Sequence, residues 1–104
     1  MKAAVMVKTN APLEIRDIPK PKPQNGQVLI KIHASGVCGT DLHVLSSLMP
    51  VPLPLVLGHE PVGEIVEVGP GVVDLKVGDR VGVCWAQKGC GHCPYCIQKR
   101  YKYC

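Results

Sequence analysis

The feature that most constrains the fold is a group of cysteines at the end of the sequence. Four of the six cysteines lie in the last 15 residues with the spacing C-x2-C-x2-C-x7-C, at Cys90, Cys93, Cys96 and Cys104. Each C-x2-C step lets one turn of the chain direct two thiolates at one point, and the later cysteine can complete a tetrahedron. The spacing therefore predicts a structural zinc site that orders a segment with little apolar content of its own.

Three alternatives for this cluster stay open. An iron–sulfur cluster uses similar early spacing, but the bacterial pattern has its fourth cysteine after three residues and then a proline. Disulfides are disfavoured in a cytosolic chain, and free thiols are the simplest alternative.

The basic run KRYK (residues 99–102) would suit a nucleic-acid zinc module. No recognition helix accompanies it, so we expect a solvated basic loop and no nucleic-acid partner.

The rest of the sequence predicts one small, mainly β domain. Its 11 glycines and 10 prolines are scattered between valine-rich runs, and the absence of Phe leaves aliphatic side chains to fill the core. We predict strands at residues 2–8, 13–17, 27–35, 62–68 and 80–85, the first two paired through a turn at 10–12. A short helix is expected at 41–47 and an ordered loop at 49–57, which holds three prolines. Residues 1–85 would form the β domain and 86–104 the zinc lobe.

Two details of this prediction are specific enough to test. Alternation in the strand at 27–35 places Val28, Ile30, Ile32 and Ala34 on one face. Glycine-containing turns are expected at 25–26, 69–71 and 78–79.

Composition also limits where the chain is expected to act. The apolar stretch at 3–7 ends at Lys8 and is too short for a secretory signal. The most apolar run, 51–57, is interrupted by Pro52 and Pro54, so no membrane span is expected. A net charge of +4 is weak support for an acidic partner. We therefore expect a cytoplasmic chain without a membrane partner.

A second group of polar residues lies earlier in the chain. Cys38 stands in GVCGTDLH (residues 36–43), and His59 stands in the later GHE (residues 58–60). Both residues are zinc donors flanked by glycine, which permits sharp turns. Each residue alone is weak evidence for a metal site, because a lone Cys is most often a small buried residue and a His before Glu is most often part of a surface pair.

The combination around Cys38 strengthens the metal hypothesis. Thr40 follows two residues after Cys38, Asp41 three residues after it and His43 five residues after it. A threonine hydroxyl can pass a proton on, and a histidine near the surface can deliver it to water. Asp41 could accept the free ring N–H of a ligating histidine. These are the parts of a catalytic zinc site with an open coordination position.

These motifs match a known family. The run GHEPVGEIVEVGPGV (residues 58–72) resembles the signature of zinc-containing alcohol dehydrogenases of the medium-chain dehydrogenase superfamily. GVCGTDLH, VGDRV (residues 77–81) and the four-cysteine lobe recur there in the same order, so the resemblance covers the whole chain. It implies a mainly β, GroES-like, partly open β-barrel with a zinc-binding loop lobe.

The resemblance also implies roles. The residues matching Cys38 and His59 bind the catalytic zinc, and the residue matching Glu60 is an alternative ligand. The residue matching Thr40 contacts the alcohol oxygen, that matching His43 ends the proton relay, and that matching Asp41 supports the ligating histidine. The four late cysteines match the structural zinc lobe. The implied enzyme, a homo-oligomer, oxidises a small alcohol to an aldehyde or ketone with hydride transfer to NAD or NADP.

The chain departs from that family in two respects. It has no G-x-G-x-x-G turn and no Rossmann domain, and the family's third catalytic-zinc ligand lies downstream of the lobe. We therefore expect the front part of a longer enzyme, inactive alone and with apolar surface exposed. A stand-alone, non-catalytic zinc module (perhaps a truncated gene product) is the alternative, and a co-chaperonin-like interaction domain ranks last.

The remaining candidates are assigned to the core. Cys84 has no role in the resemblance and is interpreted as a small buried residue. Four further residues could line a substrate pocket, although core packing is favoured for each: Leu42, Leu45, Leu48 and Trp85.

Overall fold

The structure is a computed structural model that describes residues 1–83 and 89–104, and it is mainly β, as the sequence predicts. The strands are β1 (Lys2–Met6), β2 (Glu14–Asp17), β3 (Val28–Ser35), β4 (Leu55–Val56), β5 (Pro61–Val68) and β6 (Arg80–Gly82). The helices are α1 (Gly39–Leu45) and α2 (Pro94–Ile97), followed by a 3-10 turn at Tyr101–Tyr103. The predictions for Cys84 and Trp85, and the boundary between 1–85 and 86–104, fall outside the described residues.

The strands form two three-stranded sheets, with the orders β2-β1-β4 and β3-β5-β6. Every pairing among the described residues is antiparallel, and neither sheet closes on itself. The partly open β architecture is therefore confirmed. The described part of the chain contains no parallel β-α-β unit of the kind that builds a Rossmann domain. None of its helices is long and apolar enough to cross a membrane.

The first sheet begins with the predicted pairing of β1 and β2, which runs from Lys2 opposite Asp17 to Val5 opposite Glu14. The prediction that 49–57 is entirely loop is wrong at its end, because Leu55 and Val56 pair with β1. Proline has no N–H to give to a ladder. Leu55 and Val56 follow the last proline of the run and are its first two consecutive residues with free N–H groups.

The longest pairing joins β3 to β5, from Val28 opposite Val68 to Ser35 opposite Pro61. Burial does not follow the predicted alternation beyond Ile30, because Ile32 is 51% exposed and every residue from Lys31 to Ser35 is exposed. The register shifts twice, between Leu29 and Ile30 and between Ile32 and Ala34. The first shift leaves Val66 of β5 without a partner in the ladder and the second leaves His33 of β3 without one, so each strand carries one extra residue at that point.

Helix α1 begins two residues earlier than predicted, at Gly39, with Cys38 as its N-cap residue. The Asp41 carboxylate accepts the Cys38 N–H at 3.0 Å, and the Asp41 N–H reaches the Cys38 carbonyl, also at 3.0 Å. Cysteine is not a usual N-cap residue, so no helix start was predicted at that position. The cap instead depends on the carboxylate three residues later.

The buried core is small and aliphatic, as the lack of Phe predicts. Met6 and Ile65 are fully buried, and Val5 and Val44 are 5% exposed. Core packing is wrong for Leu42 and Leu48, which are 59% and 76% exposed, while Leu45 is half-buried. Other large apolar side chains, such as Val37, are also exposed, in agreement with the expected apolar surface.

Gly63 in β5 tests how tightly the central pairing is packed. A Cβ at this position would overlap the Lys31 carbonyl oxygen and lie 2.9 Å from Ile30 Cγ2. We expect Gly63→Ala to lower the free energy of unfolding by about 1–3 kcal/mol, because backbone cannot move aside cheaply. Thermal or urea unfolding followed by circular dichroism measures this loss.

Gly39→Ala is the matched control for Gly63→Ala. A Cβ at Gly39 meets nothing within 4 Å, and Ala favours the helix that begins there. Equal stability losses in the two variants would contradict the proposed backbone clash at Gly63.

Candidate metal centres

The structure brings together the four cysteines at the end of the chain. The Sγ atoms of Cys90, Cys93, Cys96 and Cys104 all lie within 4.8 Å of one another. A tetrahedral zinc ion with Zn–S bonds of about 2.3 Å separates its sulfurs by about 3.8 Å. The 3.9 Å between the Cys90 and Cys96 sulfurs matches that separation. The donor set and its spacing therefore fit a closed, four-thiolate zinc site.

Short backbone turns build this cluster. Cys93 is the N-cap of α2, with Pro94 at the first helical position, where its missing N–H costs nothing. The Cys93 N–H points at Cys90 Sγ and the Cys90 N–H at Cys104 Sγ, each at 3.3 Å. Gly89 must be small, because a Cβ there would lie 2.7 Å from Cys96 Sγ. Helix α2 was not predicted from the sequence, although Pro94 is a helix start signal.

Two thiols of the cluster, Cys90 and Cys96, have very different proton affinities without a cation. Hydrogen bonds from the backbone N–H groups of His92 and Cys93 lower the pKa of Cys90 to about 6. The backbone of Gly91 favours the Cys96 thiolate, but burial and the neighbouring thiols outweigh it and raise the pKa of Cys96 to about 11. A thiolate thus forms easily at Cys90 and is opposed at Cys96. A bound cation removes that opposition, because metal ligation deprotonates thiols outright.

A second cluster joins Cys38, His59 and Glu60, whose ligand atoms also lie within 4.8 Å of one another. Cys38 follows the end of β3, and the other two residues immediately precede β5. Ser35 opposes Pro61 at the end of the β3–β5 pairing, so the segments beyond both residues leave the sheet together. The cluster is therefore a product of strand register.

Asp41 orients this second cluster. It is a buried charged residue, only 8% exposed. Its Oδ1 lies 3.3 Å from His59 Nδ1 while its Oδ2 accepts the Cys38 N–H. A carboxylate on Nδ1 holds the proton there and leaves Nε2 as the ligating nitrogen. Nε2 lies 3.9 Å from Glu60 Oε1, and thiolate, imidazole and carboxylate are the donors that zinc takes in catalytic sites.

Thr40 is next to the Cys38 sulfur, with Oγ1 3.6 Å from Sγ. Hydrogen bonds from its backbone and then its hydroxyl, together with a contact to His59, lower the pKa of the Cys38 thiol. The contact with Cys38 raises the pKa of His59, and the negative charge of Asp41 adds to that rise. Without a cation the pair therefore tends towards thiolate and imidazolium. A metal ion replaces the imidazolium proton.

An open cleft of about 340 Å³ lies beside this cluster, lined by Thr40, Asp41 and His59 at one end. Its remaining lining is mostly apolar and comes from α1 and the proline-rich segment, at Val44, Met49, Pro50, Val51, Leu55, Val56, Leu57 and Gly58. Leu42, Leu45 and Leu48, which the sequence offered as possible pocket residues although core packing was favoured, do not line this cleft. Leu42 and Leu45 line an adjacent open cleft of about 260 Å³. The alternation of proline with apolar residues in the proline-rich run was the sequence signal that could have identified this lining.

His43 is the one predicted site residue that the structure does not bring into either cluster. It lies on α1 three residues after Thr40, on the same side of the helix, and its side chain is exposed. It does not line the cleft. The other predicted residues of the site, namely Cys38, Thr40, Asp41, His59 and Glu60, lie together.

The family follows from comparison with known proteins. Residues 24–104 match the family model described as the alcohol dehydrogenase GroES-like domain. The chain belongs to that family.

Similar proteins agree with this assignment. The chain is 52% identical to an alcohol dehydrogenase of Geobacillus stearothermophilus over 100% of its own length and 32% of that protein. It is 46% identical to an L-threonine 3-dehydrogenase of Streptomyces avermitilis over 100% of its own length and 31% of that protein. The solved structure of an NAD-dependent alcohol dehydrogenase matches with a TM-score of 0.87 and 32% identity, covering 100% of this chain and 31% of that one. The chain thus spans about a third of the length of these relatives.

Asp41→Asn tests how the second cluster is oriented. The amide oxygen can still cap α1 through the Cys38 N–H, but the amide NH2 then faces His59 Nδ1 and favours the wrong tautomer. We expect cobalt binding at this cluster to weaken by about 10- to 100-fold with little loss of stability. The measurement is a cobalt titration after one equivalent of zinc has filled the four-cysteine cluster.

Asp41→Ala is the comparison variant, since it loses the cap as well and should cost about 1 kcal/mol of stability. Cobalt affinity in Asp41→Asn equal to that of the unchanged chain would show that the carboxylate does not orient His59.

Proposed function

We propose that this chain is the N-terminal catalytic-domain portion of a zinc-dependent alcohol dehydrogenase that oxidises an alcohol to an aldehyde or ketone with hydride transfer to NAD or NADP. The observation that carries the proposal is the mixed cluster of Cys38, His59 and Glu60 beside an open apolar cleft. Membership of the alcohol dehydrogenase GroES-like family supports it. The activity is that of the longer enzyme, because the relatives are about three times as long.

The four-cysteine cluster is proposed to hold structural zinc. Four thiolates fill a tetrahedron and leave no position for a substrate. The lobe from 89 to 104 has only one buried apolar side chain, Cys96, so a metal would supply the order that packing does not. Residues 86–104 are accordingly proposed as a lobe distinct from the β domain.

The second cluster is proposed to hold catalytic zinc. Cys38 and His59 would be two of its ligands, and Glu60 would be an alternative to the downstream ligand that the resemblance implies. One coordination position would stay open for the substrate oxygen, and zinc bound there would supply the Lewis acidity that lowers the pKa of an alcohol. Asp41 fixes the His59 tautomer. The Thr40 hydroxyl, 3.6 Å from the Cys38 sulfur, would hydrogen-bond the alcohol oxygen, take up its proton and release its own. His43, exposed on the next turn of α1, would pass that proton to water.

The substrate class follows from the cleft. Its lining beyond Thr40 and His59 is mainly aliphatic, which suits a small alcohol, aldehyde or ketone whose one polar group lies at the metal. A nicotinamide cofactor would accept the hydride, and we propose that the enzyme is a cytoplasmic homo-oligomer. We also propose that the choice between NAD and NADP is made outside these 104 residues, which carry no G-x-G-x-x-G turn.

Metal stoichiometry tests the proposal against a stand-alone structural zinc module. We expect two metal ions per chain by elemental analysis, with Cys38→Ser removing one ion and Cys104→Ser the other. In a chain with zinc in the lobe and cobalt at the Cys38 cluster, added ethanol should change the cobalt absorption spectrum, because one coordination position is open. Cobalt in the four-cysteine cluster should not respond. One tight metal ion per chain, unaffected by Cys38→Ser, would favour the non-catalytic module.

The 104-residue chain alone should show little or no NAD-dependent oxidation of ethanol or longer alcohols, even with both metal sites filled. The physical reason is that hydride transfer needs a nicotinamide held against the substrate, and the sequence has no G-x-G-x-x-G turn. The measurement is NADH formation at saturating alcohol, with buffer lacking protein as the control. Robust turnover by the pure chain would contradict this expectation.

A further inference from the structure

Gly36 is the first residue after β3 and lies directly opposite Glu60. Its N–H donates to the Glu60 carbonyl oxygen at 3.2 Å, which continues the β3–β5 ladder one step beyond Ser35 and Pro61. A Cβ on Gly36 would overlap Glu60 Oε2 and would lie 3.2 Å from Glu60 Cβ and 3.3 Å from Cδ. The absent side chain of Gly36 therefore leaves the space that the Glu60 side chain occupies.

This requirement concerns space and not backbone conformation. Gly36 does not have the left-handed φ that favours glycine at Gly58 and Gly78. Gly39, three residues on, meets nothing within 4 Å if a Cβ is added. Alanine is thus compatible with the backbone at both 36 and 39, and the two positions differ in what the new methyl group would touch.

We infer that Gly36 is a positioning residue that keeps the Glu60 carboxylate against His59 and Cys38. The inference rests on the proposed function, because it gives Glu60 a role as a ligand in the Cys38 cluster. The Gly36–Glu60 hydrogen bond ties the two backbones together, so Glu60 can relieve a clash only by rotating its side chain. That side chain is 51% exposed, so the carboxylate can turn out into solvent. Gly36→Ala would then remove the third donor without unfolding the sheet.

The test measures cobalt affinity at the Cys38 cluster in chains whose lobe already holds one equivalent of zinc. The variants are Gly36→Ala, Glu60→Ala, the double variant and the control Gly39→Ala. The readout is the thiolate-to-cobalt absorption band of Cys38, with circular dichroism to verify folding. We expect Gly36→Ala and Glu60→Ala each to weaken cobalt binding by about tenfold or more, and Gly39→Ala to leave it unchanged.

The double variant distinguishes the routes by which Gly36 could act. If Gly36 acts only through Glu60, the double variant binds cobalt no more weakly than Glu60→Ala alone. If the two losses multiply, or if Gly36→Ala binds cobalt as the unchanged chain does, the inference is wrong. Should Gly36→Ala fail to fold, the double variant must fold again, because the clashing carboxylate is gone. A double variant that stays unfolded also overturns the inference.

Failure of the proposed function has a different signature. In that case the unchanged chain binds no second cobalt ion, and it shows no thiolate-to-cobalt absorption band that Cys38→Ser removes. This result would overturn the ligand role of Glu60, and the inference about Gly36 with it. If the Cys38 cluster binds cobalt and Gly36→Ala leaves its cobalt affinity unchanged, only the inference about Gly36 is overturned.

Discussion

The antiparallel pairing of β3 with β5 is the constraint on which the second cluster depends. Its register ends with Ser35 opposite Pro61, and the residues just beyond this pair carry the donors. The chain leaving β3 turns into α1 at Cys38, while the chain entering β5 delivers His59 and Glu60 to the same place. Because the ladder has already fixed both ends, the donors meet with little further loss of conformational entropy. A shift of one residue in register would turn these side chains to opposite faces.

Asp41 couples this backbone arrangement to the electrostatics of the cluster. A buried carboxylate is costly unless donors surround it, and here the Cys38 N–H and His59 Nδ1 share its two oxygens. The same group therefore starts α1 and sets the direction of the imidazole. Loss of the helix start would also turn Thr40 away from the Cys38 sulfur. Orientation of the donors is thus a property of the folded chain before any metal binds, which is the arrangement that favours tight and selective coordination.

The sequence predicts these parts unequally, for physical reasons. Donor chemistry is local to each residue, so Cys38, His59 and the four late cysteines could be identified as candidate metal ligands from residue types and spacing. The turns containing Gly26, Gly71 and Gly78 were equally predictable, and all three glycines have positive φ. The bulges in the β3–β5 pairing and the pairing of β4 with β1 depend on contacts between distant segments. The lining of the cleft depends on the same contacts, so the exposed Leu42 and Leu48 were wrongly assigned to the core.

The two clusters differ in how far the surrounding protein orders them without a metal ion, and that difference distinguishes their proposed roles. Around the four cysteines the lobe surface is held by aromatic and cationic side chains, with Tyr95 and Tyr103 5.8 Å apart and Arg100 over the Tyr103 ring. Nearly all of these side chains are exposed, so four thiolates around a cation would form the core of the lobe and would leave no coordination position for a ligand. Around Cys38 the order comes from strand register and from Asp41. A metal bound there would not be needed to hold the chain together, so its coordination sphere could change during the proposed reaction.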